Sequence, residues 1–129
     1  MNSPATYVRF VVARQDEDPY WETGIFTAAR LLRDDGKLEP YEVDRLNEVY
    51  DWFRSHVPCP PFRAKRESKE WSADAVAWFK DEATEPIGMM WEIVAILKEH
   101  GVPVRFFRST APGPIVYSDD VQIVAETPR

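Results

Sequence analysis

His56 and Cys59 stand three residues apart, a spacing at which an imidazole and a thiolate can hold one metal ion. His100 is the only other histidine and Cys59 the only cysteine, so the four ligands of a structural zinc site are missing. As a base and nucleophile the pair is poorly placed. Pro58, Pro60 and Pro61 leave no helix N-terminus at Cys59 to lower its pKa. The stretch from Asp34 to Glu42 invites a calcium-loop reading. Gly36 at the sixth position, however, puts Leu31 first and Arg33 third, where oxygen ligands are required. It reads instead as a corner between two helices, with Gly36 in a left-handed conformation. Asp16-Glu17-Asp18 and Asp81-Glu82 read as solvated loop charge. No metal site, cofactor or catalytic set is expected, and there is no phosphate loop, dinucleotide glycine pattern or serine elbow.

One grouping could bind an anion. Arg14, Lys80 and Arg108 stand near the ends of three expected strands, and Ser109 and Thr110 add hydroxyls. If those strands are parallel, their carboxyl ends share one edge beside the amino end of the helix after residue 83. Gly113, between Pro112 and Pro114, would turn the chain and stiffen one wall. Asp81, Glu82 and Glu85 occupy the same region and are placed to pair with the cations.

These groups need elements to position them, and the central one is a helix over residues 84–100. Thr84 supplies a capping hydroxyl, while Glu85 and Pro86 suit a first turn. Ile87, Met90, Trp91, Val94 and Leu97 repeat at helical spacing, and Ile93 and Ile96 widen the stripe beyond a surface helix's usual face. The helix is therefore expected to be covered on more than one side, with Trp91 largely buried. Gly101 is the expected left-handed cap, and Pro103 prevents continuation. Strands over residues 75–79 and 102–107 flank it and imply a right-handed parallel crossover. Residues 115–117 and 121–125 read as an antiparallel hairpin turning at Ser118-Asp119-Asp120.

Upstream, residues 7–14 alternate as a strand. Residues 24–33 and 40–55 carry helical stripes, the second through Val43, Leu46, Val49, Tyr50 and Phe53. Residues 57–62 are proline-rich and read as a stiff extended connector; residues 63–70 read as an exposed charged loop. The basic cluster Arg63, Lys65, Arg66 and Lys69 is diluted by Glu67 and Glu70. The fold class is α/β (α+β). A single-domain sandwich over 1–129 is expected, with a mixed five-stranded sheet, about three helices and the order β-α-α-β-α-β-β-β.

Totals bound the function. The 129 residues are 44% hydrophobic with five tryptophans, enough for a core without a disulfide or metal. A lone cysteine fits a reducing compartment, and no apolar run or signal pattern is visible, so a cytoplasmic location and no membrane contact are expected. The net charge of −6 argues against nucleic acid as a partner.

The chain resembles a group of small uncharacterised bacterial proteins of similar length. The resemblance rests on Leu32-Arg33-Asp34-Asp35-Gly36-Lys37-Leu38, Asp51-Trp52-Phe53, Trp78-Phe79-Lys80 and Glu99-His100-Gly101-Val102-Pro103-Val104-Arg105. It continues through Pro112-Gly113, Val116-Tyr117, Asp119, Gln122 and Val124-Ala125. That group has no established activity, so the resemblance implies no catalytic residue. Val121 stands where the group is expected to carry His or Tyr, and no site role is given to it.

Two functions follow. The first is a binding or protein-interaction module acting through a sheet edge or aromatic-rich helices, with a protein partner or a second copy of the chain. The alternative is an anion-binding protein or small enzyme using Arg14, Lys80, Arg108, Ser109, Thr110 and Gly113.

Overall fold

The computed structural model describes residues 5–12 and 23–126. The elements run β1 (Tyr7–Val12), β2 (Thr23–Gly24), α1 (Ile25–Asp34), α2 (Pro40–His56), α3 (Phe62–Glu67), β3 (Val76–Lys80), α4 (Thr84–Glu99), β4 (Val104–Ser109), β5 (Ile115–Ser118) and β6 (Gln122–Ala125). The class is α+β. By contact the chain divides into two compact units. One comprises Met1–Arg9, Val57–Ile87 and Phe107–Arg129, the other Phe10–His56 and Gly88–Phe106. β1, α4 and β4 each pass from one unit into the other.

The first unit is built on antiparallel pairing. Tyr7 and Val8 of β1 face Lys80 and Phe79 of β3; β3 pairs along its length with β6, and β6 with β5. β6 is buried at all four positions. Trp71, Ala75 and Val124 form a core against which Phe62, Ala77, Val116 and Tyr117 pack. Arg66 braces it by donating to the Ala75 carbonyl, with its guanidinium over the Phe62 ring at 4.7 Å.

In the second unit the end of β1 pairs antiparallel with β2, Val11 facing Gly24. Its core holds Phe10, Val11, Ile25, Ala29, Leu46 and Val49 with Met90, Ile93, Val94 and Leu97 of α4. α1 and α4 end alike. Gly36 and Gly101 take φ of 70° and 73°, and the next residues, Lys37 and Val102, bond back to the carbonyls of Leu32 and Leu97. Each is a six-to-one helix stop that a residue with a β-carbon resists. α2 starts on a reciprocal cap. Glu39 accepts from the N–H of Val43, and its own N–H donates to the Glu42 carboxylate at 2.9 Å. Glu42 is buried because His100 meets the same carboxylate at 3.0 Å, tying the first turn of α2 to the end of α4. The Glu39 N–H, and then His100, hold the Glu42 carboxyl below its usual range.

Several expectations are corrected. β1 and β3, expected to run parallel, pair antiparallel, as do β1 with β2, β3 with β6 and β5 with β6. Among the described residues there are six strands, because the two-residue β2 adds to the five expected, and four helices. The extra helix is α3, in the stretch read as a charged loop: Pro61 takes its cap position, where a missing N–H costs nothing, and Arg63 pairs with Glu67 one turn on. β3 and β4, read as the two strands of a crossover through the central helix with strand order left open, both pair with β1. At the start of α4 the Ala83 carbonyl accepts the first helical bond, from Ile87, so Ala83 and not Thr84 holds the cap position.

Two outcomes test these joints. Gly101→Ala is expected to lower stability by about 1 kcal/mol, read as a lower urea midpoint at unchanged slope. A carboxyl depressed in the folded state contributes stability that is complete above its ordinary value of 4.5 and is lost as pH falls through its folded value. Urea midpoints from about pH 7 to about pH 3 should therefore fall in acid for the native chain, and less steeply for Glu42→Gln.

Candidate functional site

The anion grouping is only partly assembled. Lys80 ends β3 directly opposite Tyr7, the first residue of β1. The carboxyl ends of β1 and β3 therefore point in opposite directions, and β1 runs about 20 Å away from Lys80 towards its last residue. Arg14 lies outside the described residues. Arg108 does reach this end of β3: its guanidinium stands 3.7 Å from the Asp81 carboxylate. The Ser109 hydroxyl accepts from the N–H of Ala111 at 3.0 Å, and Thr110 is exposed beside it. Gly113 takes a φ of 115° in the turn before β5. The cation at this end thus meets a carboxylate, which opposes the binding of a second anion. Among the described residues no three His, Cys, Asp or Glu side chains gather as a metal site.

A second cluster was not foreseen as one. The Asp119 carboxylate accepts from the N–H groups of Val121 and Gln122 at 2.9 and 3.0 Å. It also accepts from the Tyr117 hydroxyl at 2.9 Å and the Gln122 amide at 3.1 Å. The Gln122 amide donates as well to the Pro58 carbonyl at 2.5 Å, which fastens the proline-rich stretch to the hairpin. Burial pushes the Asp119 carboxyl up, but these donors together hold it below its usual range, while the bond to Asp119 and then burial push the Tyr117 hydroxyl up. Four donors use the carboxylate's capacity, so this is a brace for the β5–β6 turn and leaves no lone pair for a proton transfer. Cys59 is exposed nearby in the chain, its thiol 3.7 Å from the Pro60 carbonyl.

The third cluster lies on α4. Trp91 was expected in the core, yet it is 44% exposed, as is Phe106 at 37%. The two rings lie 5.2 Å apart at 36°, and both rest on Phe10, which is buried. The Trp91 ring meets Phe10 edge-on at 4.9 Å. Along the helix, Gly88, Trp91, Ala95 and Lys98 recur three or four residues apart and all are exposed. Glu92, on the flank, is paired to Arg45 of α2. The open face of α4 from Gly88 to Ala95 therefore carries one large ring between two small residues, with the Arg45–Glu92 pair at its edge. Sequence reasoning counted Trp91 into the apolar stripe. The sign it passed over is that Gly88 and Ala95, the helix's two smallest residues in that stretch, share its phase.

Phe10→Ala is expected to cost about 3–5 kcal/mol, as for a core ring, whereas Trp91→Ala should cost well under half of that, because much of its surface is already in water. Urea midpoints of the two variants measure the difference.

The chain matches no family model, no curated protein and no solved structure.

Proposed function

We propose that the chain is a protein-binding module whose docking surface is the open face of α4 centred on Trp91. The observation that carries this reading is the exposed Trp91 ring held in place by the buried Phe10. An aromatic side chain that is already ordered loses little rotamer freedom on binding and brings a large apolar area, which is why such residues anchor interfaces. The flanks agree with it. Gly88 and Ala95 leave room for a partner's side chains to approach the helix, and the Glu92 carboxylate between them is already paired with Arg45. The anion-binding or enzymatic alternative has weaker support, since Asp81 already faces Arg108 and β1 runs antiparallel to β3, which takes its carboxyl end away from Lys80.

The test places a photoreactive benzoylphenylalanine at position 106, with a control at Arg54, whose side chain is 77% exposed on α2. Irradiation in cells should give discrete adducts from position 106, none from position 54, and a large loss when Trp91→Ala is added. No adduct from 106, or the same adducts from both positions, would sink the reading.

A further inference from the structure

We draw no further inference here: the strongest candidate, the open strip of α4 formed by Gly88, Trp91 and Ala95, carries nothing beyond its reading as a docking surface, because nothing in the structure shows what covers it.

Discussion

A helix that is apolar around most of its circumference has to be covered around most of its circumference, and α4 sets that demand for this chain. Met90, Ile93, Val94, Ile96 and Leu97 are all buried. Those five leave one strip of the surface, and what stands on it decides how the molecule meets water. A run of Lys and Glu would have closed the matter. Trp91 between Gly88 and Ala95 does not, because its ring rests on Phe10 and Phe106 and the residue is still 44% exposed. Both ends of the helix are fixed as tightly as its middle. At one end Gly101 reverses the chain and His100 reaches Glu42; at the other, the Ala83 carbonyl takes the first bond. A helix held in this way presents its outer face without much freedom to rearrange it, which suits a recognition surface better than a mobile one would.

How much of this could be read from residue order depended on the range of the interaction. Local signals served well. The starts of α2 and α4 came from proline at first-turn positions, the stops of α1 and α4 from glycine after the last turn, and the β5–β6 hairpin from alternation around Asp119. These are contacts between residues a few positions apart. Strand direction and order are set by contacts across most of the chain, and there the reading went astray. The strand–helix–strand pattern around α4 suggests a crossover but leaves open which strand lies between, and β1, from the start of the chain, pairs with both β3 and β4. No local feature of Tyr7–Val12 announces that. α3 was missed for a different reason: proline before a charged run was taken as a sign of extended chain, although the same residue is at home just ahead of a helix.

The site followed the same rule. Arg108 of the expected cation grouping meets the carboxylate of Asp81, the residue after Lys80. Arg14 was grouped with them by an assumption of parallel strands that the register of Tyr7 with Lys80 removes. Asp119 was read as a turn former, and its carboxylate turns out to gather donors from Tyr117, Val121 and Gln122. Trp91 shows the general difficulty. Periodicity tells which residues share a helix face, but an apolar face meant for the core and one meant for another molecule have the same period.

Three elements pass between the two compact units, and each unit draws its residues from separated parts of the chain. For a polypeptide made from its N-terminus, this fixes when each unit can close. The second unit has all its segments once Phe106 has emerged. The first has to wait for β6, the four-residue strand near the end that occupies the other side of β3. Until then Val76–Lys80 has β1 on one side and an open row of backbone donors and acceptors on the other. Between the emergence of β3 and that of β6 the growing chain thus carries an unfinished sheet, whose free edge is open to any passing strand.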